Sequence, residues 1–237
     1  MWAGLPQTMN ILAIETATEY CSVALQAGFD VLGRHAHAPR EHASLLLPWV
    51  EQLLAEAQLP LSRLDAIAYG RGPGSFTSLR LGIGVVQGLA YGSDSGVCGV
   101  SSLAALAQSS GSLQIGQDLL VATDARMQEV FTGLFRVSDQ DLVVAQGQEM
   151  VCAPGEITLP PGECVGLGNG FAAYPAETSE RLGDLLLDVD ADCWPDARNV
   201  LRLAAPLIGR GEIDAPEQAL PVYIRNKVAN KPSPDTS

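Results

Sequence analysis

Residues 69–92 read YGRGPGSFTSLRLGIGVVQGLAYG, and the fold depends on what these glycines are for. In the first half, Gly70, Gly72 and Gly74 surround Pro73. Glycine supplies backbone angles that other residues resist, and proline stiffens a turn. From Phe76 to Tyr91 the apolar residues follow helical periodicity. The stretch therefore takes the chain from a strand (LDAIAYG, 64–70) through a tight turn into a helix. Ser75 stands at the N-cap position, where a hydroxyl can satisfy a free backbone N–H. A helix start also accommodates an anion, with Arg80 one turn further on to help. In the second half Gly84, Gly88 and Gly92 recur four apart and share one helical face. Each glycine inside a helix costs about 0.5–1 kcal/mol relative to alanine. Bare backbone lets a second helix approach closely and add dispersion contacts. That helix could belong to the same lobe or to another molecule, and spacing leaves both open.

Upstream, ILAIETA (11–17) reads as a buried strand, followed by strands over 22–26 and 31–36 joined by the turn AGFD. Residues 44–59 form an amphipathic helix with Leu46, Trp49, Val50, Leu53, Leu54 and Ala57 at threes and fours, Ser44 as N-cap and Pro48 in its first turns. Downstream, GVCGV (96–100) is a strand and QSSGSLQIGQ (108–117) has linker composition. A similar order restarts at LLVATDA (119–125), continues through EVFTGLFRV and LVVAQGQEMV, and adds strands in GECVGLGNG and LLLDVD. The last helix is ARNVLRLAAPLI (197–208). The polar strand tips IETAT and ATDAR echo one another, which suggests a duplicated α/β unit. The expected organisation is an N-terminal extension over 1–8, a first lobe over 9–107, a second lobe over 108–215, and a closing segment over 216–237 whose tail after Asn230 is disordered.

With 27 acids against 14 bases, the chain carries a net charge of −13, and only Lys227 and Lys231 are lysines. Proteins that hold nucleic acid directly present a basic face, because phosphate neutralisation dominates that affinity. Direct binding of RNA or DNA, or of an anionic membrane, is therefore unfavourable, and a basic protein partner suits the chain better. Five scattered cysteines without metal-ligand spacing fit free thiols in a reducing cytoplasm. His35, His37 and His42 lack a common face, so no metal site is expected. Glu15, Thr16 and Thr18 on the first strand, with Asp124 on its echo, are candidate nucleotide or Mg²⁺ contacts, and Ser75 and Arg80 candidate anion contacts. The alternative is that Glu15 and Asp124 merely tie strand ends to loops. GLGNG (166–170) is a second glycine-rich candidate. Ser75 does not lie in a nucleophile elbow, because G-x-S-x-G fails at Thr77.

The motifs ILAIETATEYCSVAL (11–25), EHASLLLPWVEQLL (41–54), GRGPGSFTSLRLGIGVVQGLA (70–90), GVSSLAALA (99–107), DARMQEVFTGLF (124–135) and LPVYIRNKVA (220–229) occur in this order. Together they resemble the bacterial TsaB (YeaZ) family of tRNA threonylcarbamoyladenosine biosynthesis proteins, over residues 9 to about 229. The resemblance implies an α/β, actin-like (ASKHA, ribonuclease-H-like) fold of two related lobes, each a mixed sheet flanked by helices. It also implies a non-catalytic subunit that acts with the paralogue TsaD and the ATPase TsaE to modify adenosine 37 of ANN-decoding tRNAs. Such a subunit binds TsaD, or itself as a homodimer, and meets tRNA only through the complex. ATP or ADP with Mg²⁺ would belong to that complex rather than to the isolated chain. The implied partner surface comprises Leu46, Trp49, Val50, Leu53, Leu81, Gly84, Val85, Gly88 and Gly92. In the catalytic paralogue, the segment matching VSSLAAL (100–106) resembles VNHLEGH, a metal-binding pair; here Ser102 and Leu106 stand at the histidine positions. Ser78 replaces the family's usual glycine and Gln87 its frequent lysine. A stand-alone ATP-dependent actin-like kinase is the alternative function, and metallopeptidase a third that Leu106 disfavours.

Overall fold

The computed structural model describes residues 9–111 and 114–225; the N-terminal extension expected over 1–8 and the tail expected after Asn230 lie outside them. Three antiparallel strands open the fold: β1 (Asn10–Glu15), β2 (Tyr20–Ala27) and β3 (Asp30–His37). Gly28, at φ +61°, makes the turn between β2 and β3, a left-handed conformation that glycine adopts without a Cβ clash. Helix α1 (His42–Glu56) leads to β4 (Ala66–Gly70), which lies parallel to β1. Helix α2 (Phe76–Ser93) then leads to β5 (Gly96–Val100), parallel to β4. The first sheet therefore runs β3-β2-β1-β4-β5.

The second sheet repeats this plan. After the short helix α3 (Ser102–Ala107), β6 (Asp118–Arg126) and β7 (Glu129–Val137) pair antiparallel. The segment LVVAQGQEMV holds two short strands, β8 (Val143–Ala145) and β9 (Met150–Cys152), both paired with β7. Gly147 at φ +132° breaks the run. β10 (Cys164–Leu167) lies parallel to β6; helices α4 (Gly170–Ala173) and α5 (Pro175–Leu182) precede β11 (Leu186–Asp190). The order β11-β10-β6-β7-β8 mirrors that of the first sheet, as the echo of IETAT in ATDAR predicts.

The last helix, α6 (Ala197–Gly209), is capped by the Asp196 side chain, which accepts the Arg198 N–H at 2.7 Å. Sequence order groups it with the second lobe, yet it packs on the first sheet. Val200, Leu201, Ala204 and Ala205 meet Ile11, Ala13, Ala24, Ala66 and Ala68 in one apolar layer. Small residues on β1 and β4 leave the depth this helix needs. The opposite face of the first sheet is covered by α1 and α2, with Leu12, Ile14, Val23, Leu25 and Ile67 beneath them. Both helix starts depart from expectation. α1 begins at His42, so Ser44 lies in its first turn and donates its hydroxyl to the Glu41 carbonyl at 2.8 Å rather than capping it. Ser75 occupies the α2 cap position, but its hydroxyl makes no cap bond and accepts from Ser78 Oγ at 3.1 Å instead.

Candidate functional site

The two helices on the first sheet present one surface to solvent and another to the core. Leu46, Val50 and Leu53 are 0%, 2% and 0% exposed, locked into the layer over β2. They are not available to a partner. Periodicity identifies an apolar stripe on α1; it does not say that the stripe is consumed by the chain's own sheet. Trp49, Leu81 and Val85 are half-buried at the edge of that layer. Gly84 and Gly88 are open: a Cβ built on either meets nothing within 4 Å. One on Gly92 meets only Leu61, at 3.7 Å. Internal packing therefore does not account for Gly84 or Gly88. Gly82 differs, because a Cβ there would lie 2.3 Å from Thr16 Oγ1.

A cleft of about 790 Å³ lies between the lobes. Ser75, Arg80, Thr18 and Asp124 line it, together with Arg126, Asn169, Trp194 and Tyr223. Glu15 and Thr16 do not. Glu15 is 1% exposed; its carboxylate accepts the Ala17 N–H at 2.6 Å and the Ser102 hydroxyl at 2.7 Å. Gly70 leaves it room, since a Cβ there would sit 1.9 Å from Glu15 Oε2. Burial pushes the Glu15 carboxyl above its ordinary value, against those hydrogen bonds. It stitches β1 to α3 and is closed to a metal–nucleotide. Thr16, 2% exposed, donates its hydroxyl to the Ser78 carbonyl at 3.0 Å. Asp124 accepts from the Tyr174 hydroxyl at 3.0 Å and pairs with Arg126 at 3.0 Å. Asn169 holds the Asp124 N–H at 2.9 Å. The glycines of GLGNG serve close approach: Cβ atoms on Gly168 and Gly170 would each lie 2.7 Å from the Ala122 carbonyl oxygen.

The remaining candidates are dispersed. Ser102 bonds Glu15 and accepts the Gly72 N–H at 3.2 Å, while Leu106 is fully buried in the second-lobe core. His35 lies 3.6 Å from Asp196, His37 lies 3.5 Å from Glu19, and His42 meets the Tyr20 carbonyl at 3.2 Å. The three do not share a ligand. A second cleft, about 1020 Å³ between β5 and β8, contains none of the residues that sequence reasoning selected.

The path of the closing segment, described over 215–225, escapes sequence reasoning. It runs back along α2: Tyr91 donates to Glu217 at 3.1 Å, Gln87 to the Ala219 carbonyl at 3.1 Å, and Arg80 Nε to the Tyr223 hydroxyl at 2.9 Å. It reaches the second lobe, where Arg225 pairs with Glu129 and lies over the Phe131 ring. Its only sequence signal is the motif LPVYIRNKVA, which carries no periodicity. Gln87, one of the two departures noted above, is thereby spent on the chain's own backbone.

Comparison with known proteins accords with this architecture. A TsaD family profile, described as tRNA N6-adenosine threonylcarbamoyltransferase, matches residues 36–170. The chain is 38% identical over 230 residues to the tRNA threonylcarbamoyladenosine biosynthesis protein TsaB of Escherichia coli, covering 95% of this chain and 99% of that protein. The protein of the same name from Haemophilus influenzae is 35% identical, with 96% and 98% covered. The solved structure of YeaZ from Pseudomonas aeruginosa superposes with a TM-score of 0.83 at 41% identity, over 91% of this chain and 99% of that one. The two-lobed α/β architecture is the expected actin-like fold. Near-complete relatives, a matching structure and the motif order along both lobes agree: the chain belongs to the TsaB (YeaZ) family.

Proposed function

We propose that the chain is a non-catalytic subunit in the synthesis of threonylcarbamoyladenosine at adenosine 37 of ANN-decoding tRNAs, supporting a TsaD-type transferase together with a TsaE-type ATPase in the cytoplasm. The observation that carries this reading is the open stripe of Gly84 and Gly88 on α2. An exposed helical glycine lowers local stability by about 1 kcal/mol with no return inside the lobe. Close docking of a second helix returns it. Trp49, Leu81 and Val85 flank the stripe and supply apolar contact, Trp49 as the central anchor. The same face serves TsaD or a second copy of the chain. With a net charge of −13, this subunit leaves tRNA to basic surface elsewhere in the complex. Purified chain is mixed with TsaD, TsaE, tRNA and the activated threonylcarbamoyl donor. Modification should depend on the chain; equal modification without it ends this reading.

The interlobe cleft keeps the kinase reading as the alternative, with Asp124 as its remaining acid. Sequestration of Glu15 weakens it, because an actin-like kinase needs that strand's acid at the metal. Any nucleotide and Mg²⁺ then belong to the assembled complex. Calorimetry that finds tight Mg·ATP binding to the isolated chain would favour the kinase instead.

A further inference from the structure

The second cleft, about 1020 Å³ between the edge strands β5 and β8, is lined by no residue of α1 or α2. Its floor is apolar and drawn from both lobes, with Phe135, Val143, Leu203, Leu207 and Val222. Phe135 and Val143 are 1% and 7% exposed; the other three are half-buried. Two charged groups meet at its wall. Arg71 is fixed through its backbone: its N–H donates to the Val100 carbonyl and its carbonyl accepts the Val222 N–H, each at 2.8 Å. Its side chain is exposed to the cleft. Glu149 reaches across from the second lobe, and its Oε1 accepts the Ser101 hydroxyl. Gly133 leaves room for the Glu149 stem, since a Cβ there would lie 3.3 Å from Glu149 Cγ. Among the described residues nothing donates a hydrogen bond to Glu149 Oε2. Burial pushes the Glu149 carboxyl above its ordinary value, while the Ser101 bond and the Arg71 charge pull it down.

An apolar cleft at a lobe boundary with a few convergent polar groups is the ordinary form of a small-molecule site. The charges narrow what it takes. A phosphate or a simple carboxylate would suit Arg71 but be repelled by Glu149, and a simple amine would meet the reverse. A sugar would leave its hydroxyls unpaired against the apolar floor. A molecule with both charges on one carbon and an apolar group attached satisfies wall and floor together. A peptide terminus carries only one of the two charges. We propose that this cleft binds a free α-amino acid with an apolar side chain. Its ammonium donates to Glu149 Oε2, its carboxylate meets the Arg71 guanidinium fork, and its side chain lies on the floor around Phe135. Arg71 and Ser101 belong to the first lobe, Glu149 and Phe135 to the second, so the ligand bridges the lobes. The site is independent of the docking reading above.

The test titrates the full chain with L-leucine and L-phenylalanine by calorimetry. Each should bind saturably, with a dissociation constant of about 1 mM or below. Two analogues on wild-type protein isolate the charges: L-leucine methyl ester lacks the carboxylate, and 4-methylpentanoate lacks the ammonium. Each should bind about tenfold more weakly than L-leucine, or worse. Arg71→Met and Glu149→Gln should weaken L-leucine binding by about the same factor, the glutamine retaining an acceptor for Ser101. If Glu149→Gln fails to fold, Arg71→Met and the two analogues decide. Absence of saturable binding by either amino acid overturns the inference. So does L-leucine binding unchanged in both variants, which would place the ligand elsewhere. An analogue that binds as tightly as L-leucine would show a site for a single charge and overturn it too.

Discussion

Gly82 and Gly88 lie on the same helix six residues apart, and they are glycine for opposite reasons. Gly82 faces inward, where a methyl group would lie 2.3 Å from Thr16 Oγ1. Gly88 faces outward, where a methyl group would touch nothing. The inner glycine is required by the fold, since α2 could not otherwise sit on the end of β1. The outer one weakens the helix without any return that the lobe supplies. On the proposed docking reading, the tight side belongs to the fold and the bare side is the one a partner would meet. That contrast, more than the number of glycines, distinguishes architecture from function.

The comparison breaks most visibly at Gly88→Leu. The substitution fills open space, so the lobe keeps its melting temperature or gains slightly. Association with the TsaD-type subunit should fall about a hundredfold, roughly 2.8 kcal/mol. A variant that binds normally would leave the bare side without a purpose. Next comes a pair of alanine substitutions that sharpen the contrast. Gly82→Ala crowds Thr16 and should destabilise the chain by about 2 kcal/mol. Gly84→Ala should stabilise it by up to about 1 kcal/mol through helix propensity alone. Denaturant melts of both variants measure the difference, and equal values would erase the distinction between the two sides.

The smallest effect probes the buried side through its acid. Burial raises the Glu15 pKa from its ordinary 4.5, while hydrogen bonds from Ala17 and Ser102 oppose the shift. A folded-state pKa above the unfolded one means that the native state holds the proton more tightly. Wild-type stability therefore declines as pH climbs from 4.5 through the raised value. Glu15→Gln lacks this decline, so its melting temperature should gain on wild type as pH rises from 4.5 through the raised value. A difference that stays constant with pH would show that Glu15 is not the group titrating.

Much of this was readable from residue order. The strand tips IETAT and ATDAR gave away the duplicated plan, and the two sheets carry matching strand orders. The motif set identified the family before any coordinates. Individual roles were less legible. Leu46, Val50 and Leu53 share a stripe with Trp49, and a helical wheel cannot say which edge of a broad apolar face meets the sheet. Glu15 and Asp124 look equivalent in sequence. One is sealed by Gly70 and Ser102, and the other opens on the cleft beside Arg126.

The short helices α3, α4 and α5 were not legible in the sequence. Sequence alone determined the periods of the longer elements, the helices α1, α2 and α6 and most of the strands, and that three glycines on α2 share a face. These are local properties, fixed by side-chain spacing and turn chemistry within about twenty residues. Tertiary structure decided everything that depends on distant partners. It placed α6 on the first sheet instead of the second, turned one glycine inward and its neighbours outward, and brought Tyr223 against Arg80 across 143 positions of chain. Contacts of that kind arise from the way two packed layers close on each other, and no periodicity in the chain encodes which residues will then meet.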